Sequence, residues 1–165
     1  MNEFAYKAGV LTVSDQGAKG AREDRSGDAA ALLLEDAGFR VEKREVCPDS
    51  KERIKQTLSA WCDLDKLDLV VTTGGTGFAR RDLTPEATSE VIHRFAPGIS
   101  EAMRQKGLEN TPRAMLSRGV SGIRYQSLII NLPGSEKGVR ESLQAVLPAL
   151  AHGLEILTGR GGECG

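Results

Sequence analysis

Apolar and polar residues alternate along the chain in two rhythms: short unbroken apolar runs, and longer stretches at helical spacing. Ala8–Ser14 (AGVLTVS) is apolar and β-branched and reads as a buried strand. A polar loop rich in Gly, Asp and Arg follows from Asp15 to Arg25. Ser26 is placed to cap a helix through Ala37, with Gly38 placed to end it. Arg40–Val46 alternates and reads as an edge or half-exposed strand, broken by Pro48 and Asp49. Ile54, Leu58 and Trp61 predict a helix over Ser50–Cys62. Leu67–Val71 is a second buried strand and runs into Thr72-Thr73-Gly74-Gly75-Thr76-Gly77. Thr84-Pro85-Glu86 offers a capping hydroxyl, a first-turn proline and a first-turn acid, so a helix should run from there to about Phe95. Pro97-Gly98 opens another, to about Lys106. Gly119–Arg124 and Ser127–Leu132 predict a hairpin turning at Tyr125-Gln126. A last helix spans Ser135–Leu157, with a break expected at Pro148, and Gly159–Gly165 reads as a loose tail. Strands alternating with helices, without a repeat, predict an α/β layered fold.

Composition narrows the function. The 165 residues suit a single domain, with a core expected from about residue 8 to 158. Lys plus Arg number 22 against 23 Asp plus Glu, a balance that argues against a general nucleic-acid binder. Aromatics at 4% leave no platform for stacking bases. No apolar run reaches membrane-spanning length, and the N-terminus lacks a signal-peptide core. The three cysteines, Cys47, Cys62 and Cys164, are odd in number and have no CxxC spacing. A disulfide framework and a structural zinc site are therefore not expected, and a reducing, cytoplasmic compartment is. Cys47 and Cys62 read as packing residues and Cys164 as a tail thiol. His93 and His152 fall in predicted helices with no evident catalytic partner.

Ligands of open α/β sheets bind at the carboxyl ends of the strands. The loops there are Ser14–Ser26, Cys47–Ser50, Thr72–Thr84 and Asn131–Ser135. The Thr72–Gly77 loop exposes backbone N–H groups with little side-chain bulk, so it either wraps a phosphate or is a flexible connection. It is neither a P-loop, lacking GK[ST], nor a dinucleotide fingerprint, lacking the third glycine. Arg80-Arg81-Asp82 suits an anionic ligand and a magnesium ion, or is a solvated turn. Asp49 with Glu52 matches a capping box. Ser14-Asp15 is a ligand contact or a turn. Pro133-Gly134-Ser135 turns tightly into the last helix, with Ser135 as its cap.

These residues together resemble the molybdenum-cofactor biosynthesis proteins of the MoaB/Mog type. The resemblance rests on VSDQGAKGAREDRSG at 13–27, PD at 48–49, TTGGTGFARRDLTPEAT at 72–88, PGISEAMR at 97–104, LSR at 116–118 and NLPGSEKG at 131–138. Phe78 stands where proline is common in such proteins. The resemblance implies a three-layer αβα sandwich with a mostly parallel sheet, assembled as a homotrimer. It implies a molybdopterin adenylyltransferase, which joins AMP from ATP to the pterin's terminal phosphate with Mg2+ and releases pyrophosphate. A downstream metal-insertion protein is then an implied partner. By the same resemblance Asp49 and Asp82 are the catalytic and metal-holding acids. Thr73, Gly74, Gly75, Thr76 and Gly77 hold the nucleotide phosphates. Ser14, Asp15, Pro133, Gly134 and Ser135 line the cleft, Arg81 meets an anionic group, and Ser117 is a further contact. The competing readings are a non-catalytic pterin carrier and a structural scaffold of the same fold.

Overall fold

The computed structural model describes residues 5–161; the end of the expected tail, Cys164 included, lies outside the described residues. Strands β1 (Lys7–Val13), β2 (Arg40–Cys47), β3 (Leu69–Thr73), β4 (Arg94–Phe95), β5 (Ser121–Arg124) and β6 (Ser127–Leu132) form one sheet in the order β2-β1-β3-β6-β5-β4. The first four strands of that order are parallel, and β5 and β4 join antiparallel. The sheet is therefore mostly parallel, and β2 takes the edge that its alternating sequence suggests.

The helices are α1 (Asp15–Ala18), α2 (Arg25–Asp36), α3 (Lys51–Asp63), α4 (Thr84–Val91), α5 (Pro97–Leu108) and α6 (Glu136–Thr158), with a 3-10 turn at Pro112–Leu116. They cover both faces of the sheet because successive strand residues point to opposite sides. Val10, Val71, Ile130 and Leu132 pack with Leu34 of α2, Met103 of α5 and Leu143 and Leu150 of α6. Leu11, Val13, Val70 and Ile129 pack with Ile54, Leu58 and Trp61 of α3 and Val91 of α4. Both cysteines of the described residues lie in this second layer; burial pushes the Cys47 thiol up to about 12 and the Cys62 thiol up to about 11, so both are inert packing groups.

Several local expectations are corrected. Asp24, not Ser26, caps α2: its carboxylate accepts the Gly27 N–H at 3.0 Å and is held by the Thr12 hydroxyl at 2.9 Å. The α3 cap is Ser50, whose hydroxyl accepts the Arg53 N–H, so Asp49 is free of that task. β3 runs two residues further than its apolar stretch, with Thr72 and Thr73 fully buried. Helix α4 stops at Val91, because Ile92 is extended and the His93 N–H donates to the Ile123 carbonyl, opening the short β4. His93 thus sits in a connection, not a helix, and packs edge-on against Tyr125. Helix α6 runs unbroken through Pro148, since buried residues on both sides of the proline hold it to the sheet.

At the amino edge of the sheet, the buried Asp68 carboxylate accepts the Lys7 N–H at 2.8 Å and Arg160 Nη2 at 2.6 Å. The Arg160 guanidinium also lies 5.5 Å from the Tyr6 ring centroid. Both ends of the described chain are joined there.

Candidate active site

The carboxyl edge carries the loops singled out by sequence. Strand order reverses around β1: the chain passes from β1 to β2 on one side and returns to β3 on the other. The loops after β1 and β3 therefore diverge and leave a crevice.

The loop after β3 has a one-sided hydrogen-bond pattern. Its carbonyls point into the protein. Gly74 O accepts the Thr84 hydroxyl at 2.9 Å and Gly75 O the Thr84 N–H at 3.1 Å. Thr76 O accepts the Arg118 N–H at 2.9 Å and Gly77 O accepts Arg118 Nε at 2.8 Å. In a trans peptide the C=O of one residue and the N–H of the next point in opposite directions, and no bond in the described chain is cis. The N–H groups of Gly75, Thr76, Gly77 and Phe78 consequently face away from those anchors, and none donates to a protein acceptor among the described residues. Four such donors in a row form a concavity for an anion. Gly74 and Gly75 make the turn possible with φ of +94° and +69°; a Cβ on Gly74 would stand 2.3 Å from Val13 O. Thr73 lends its hydroxyl to the Pro133 carbonyl at 2.6 Å, which ties this loop to the one after β6.

The acids sit beside it. Asp15 N–H donates to Asp49 Oδ2 at 3.0 Å, and Asp49 N–H donates to Asp15 Oδ1 at 2.9 Å, so the ends of β1 and β2 hold each other's carboxylates. Ser14 caps the one-turn α1 through the Gly17 N–H. Burial raises the Asp49 carboxyl above its usual range; the Asp15 N–H and Arg81 oppose this, and the Asp15 and Asp82 charges add to it. Asp82 Oδ2 accepts the Ala79 N–H at 2.9 Å. Asp49 and Asp82 each retain an Oδ1 with no hydrogen-bond partner among the described residues. Those residues hold no metal cage of three or more acidic, His or Cys side chains. Magnesium does not need one: it keeps several waters and binds through one or two carboxylates plus substrate phosphates, which the two free oxygens fit.

Two clefts flank the loop. A polar one of about 430 Å³ is lined by Ser14, Asp15, Asp49, Thr73, Gly74 and Arg81. A more apolar one of about 480 Å³ is lined by Thr76, Gly77, Ser117, Pro133 and Ser135 from the expected set, with Ser100, Met103, Arg104, Arg113, Leu116 and Lys137. Gly75, Asp82 and Gly134 belong to both and form the wall between them. Every expected site residue therefore lines one cleft or the other. Ser135 also caps α6 through the Gly138 N–H at 3.0 Å. Sequence reasoning missed Arg118, which grips the loop from beneath, and Arg104, which holds the Ser117 and Gly119 carbonyls at 3.3 and 2.9 Å. Both lie in segments already singled out, as the last residues of LSR and PGISEAMR, and the carbonyls each one holds are far from any local pattern that would mark it.

A mostly parallel α/β sheet whose loop of unpartnered N–H groups lies between two clefts has the architecture of a small-ligand-binding α/β protein. The chain belongs to the family described as a probable molybdopterin binding domain, which matches residues 9–152. The molybdopterin adenylyltransferase of Helicobacter pylori strain J99 is 46% identical over 156 residues, covering 92% of this chain and 87% of the relative. The molybdopterin adenylyltransferase of Escherichia coli K12 is 42% identical over 155 residues, covering 90% of this chain and 79% of the relative. The crystal structure of the molybdopterin biosynthesis enzyme MoaB from Thermus thermophilus superposes with a TM-score of 0.89 at 51% identity, covering 93% of this chain and 97% of that one. No helix among the described residues is long and apolar enough to cross a membrane.

Proposed function

We propose that this chain is a molybdopterin adenylyltransferase, which transfers AMP from ATP to the terminal phosphate of molybdopterin and releases pyrophosphate. Membership of the family and the relatives so named support the reading. One observation carries it onto this chain: the loop with the unpartnered N–H groups runs between two adjoining clefts, with Gly75 lining both and Thr76 and Gly77 lining the apolar one. A transfer between two bound substrates needs adjoining sites, because the reacting atoms must be brought into contact.

The polar cleft, with Asp15, Asp49 and Asp82, takes the triphosphate and Mg2+. The apolar cleft, with Met103 and Leu116 as walls and Arg104, Arg113 and Lys137 as cations, takes the pterin and its phosphate. Asp49 and Asp82 would hold the magnesium, whose chemistry is to neutralise the triphosphate and the leaving pyrophosphate. The N–H groups of Gly75 to Phe78 bind phosphate oxygens and offset the repulsion between two anionic substrates. Arg81 adds a cation on the nucleotide side. An oxygen of the pterin phosphate forms a bond to the α-phosphorus, the α–β bridging P–O bond breaks, and pyrophosphate leaves with the electron pair. A homotrimer, a cytoplasmic location and hand-over of the product to a metal-insertion protein complete the proposal, on the strength of the resemblance.

Incubation with molybdopterin, magnesium and ATP labelled at the α-phosphate tests it. The expected result is labelled adenylyl-pterin in step with pyrophosphate, reduced about 100-fold or more in Asp49→Ala and Asp82→Ala. Tight pterin binding without turnover would instead identify a carrier.

A further inference from the structure

We infer that Arg118 is a positioning residue that sets the anion cradle and the backbone of Asp82 in their working geometry. It touches no substrate on this reading and acts wholly through the loop. Its backbone N–H donates to Thr76 O at 2.9 Å, its Nε to Gly77 O at 2.8 Å, and its Nη2 to Asp82 O at 2.7 Å. Its Nη1 is paired with Glu86 Oε1 in the first turn of α4. One residue thus spans the 76–82 segment, its backbone at Thr76 and its side chain at Gly77 and Asp82, and anchors it to the following helix.

The consequence follows from peptide geometry. Holding the Thr76 and Gly77 carbonyls inward forces the Gly77 and Phe78 N–H groups outward. Thr84 does the same for Gly75 and Thr76. The Arg118 backbone therefore sets the Gly77 N–H, and its side chain, the part a substitution changes, sets the Phe78 N–H. Holding the Asp82 carbonyl fixes the backbone from which that carboxylate projects. Glu86 offsets the guanidinium charge, so the contribution is one of shape. Only a planar fork of several donors reaches Gly77, Asp82 and Glu86 at once; a lysine ammonium presents the same charge from a single point.

This inference rests on the adenylyl-transfer reading for its kinetic readout and stands apart from it in a binding readout. The test is Arg118→Lys, assayed for pyrophosphate affinity by calorimetry, for kcat and KM in adenylyl transfer, and for melting temperature. The expected variant is folded, binds pyrophosphate about 10-fold more weakly, and loses about 100-fold in kcat, the scale of a misplaced catalytic group. Wild-type affinity and kcat in folded Arg118→Lys would overturn the inference, as would a loss matching only the unfolded fraction. Should that variant not fold, Glu86→Ala removes the acceptor of Nη1 and with it the tie of the fork to α4. A fall in both readouts there supports the clamp, and unchanged values overturn it. A wild-type protein that binds pyrophosphate but transfers no AMP, with affinity still lost in Arg118→Lys, removes the adenylyl-transfer reading and leaves the clamp. A wild-type protein that binds no pyrophosphate overturns the clamp itself.

Discussion

At the scale of single residues, Asp49 shows a conflict between stability and chemistry. Its carboxyl lies above the usual range in the folded chain, chiefly through burial. The folded state therefore takes up the proton more readily than the unfolded state. The stability linked to that proton is complete at low pH and is lost as pH rises through the folded-state value. At neutral pH the ionised group destabilises the fold. Asp49→Asn, which can still accept the Asp15 N–H, is expected to melt about 1–3 °C higher at pH 7 and to lose adenylyl transfer. The gain should shrink as pH falls into the carboxylate range; calorimetry across pH checks both the sign and the window. The sequence offered Asp49 two roles, cap or acid. The choice lay in Asp15, thirty-four positions away, which takes up one carboxylate oxygen and leaves the other open.

At the scale of elements, Asn131 ties β6 to β3, to α4 and to the segment that leads into β5. Its amide donates to the Thr72 hydroxyl on β3 at 3.0 Å and to the Thr88 hydroxyl on α4 at 2.9 Å, and its Oδ1 accepts the Val120 N–H just before β5 at 3.1 Å. All of this is buried away from water apart from Val120, which is only partly covered. Asn131→Ala leaves these groups without partners and should cost about 2–3 kcal/mol in urea unfolding. The buried strands were legible because their apolar, β-branched runs are long and uninterrupted. β4 was not: two exposed residues carry no pattern, and its existence depends on pairing with β5. The α2 cap was misplaced by two residues because the partners that hold Asp24, Thr12 and Arg44, come from neighbouring strands. The glycines of the TTGGTG loop left a phosphate cradle and a flexible connection both open, and the direction of its N–H groups was not legible. That direction is set by Thr84 and Arg118, and no local pattern links either to the loop.

At the scale of the whole molecule, large apolar side chains remain at the surface: Phe78, Phe95, Met115 and Tyr125 are each more than 60% exposed. The proposed trimer would cover apolar surface of this kind. Native mass spectrometry is expected to give three times 17.7 kDa; a single-chain mass at working concentration would remove the trimer and any cleft completed by a neighbour. The fold class was readable from alternation alone, whereas assembly leaves no periodic trace and came only with the resemblance. The knot of Tyr6, Asp68 and Arg160 has a further consequence. It brings the first and last described turns of the chain together on the side of the sheet opposite both clefts. The described part of the chain, residues 5–161, is thus nearly a closed circle whose seam faces away from the proposed chemistry. A short bridge across that seam, with a new opening cut in an exposed turn, would reorder the sequence without disturbing the substrate sites.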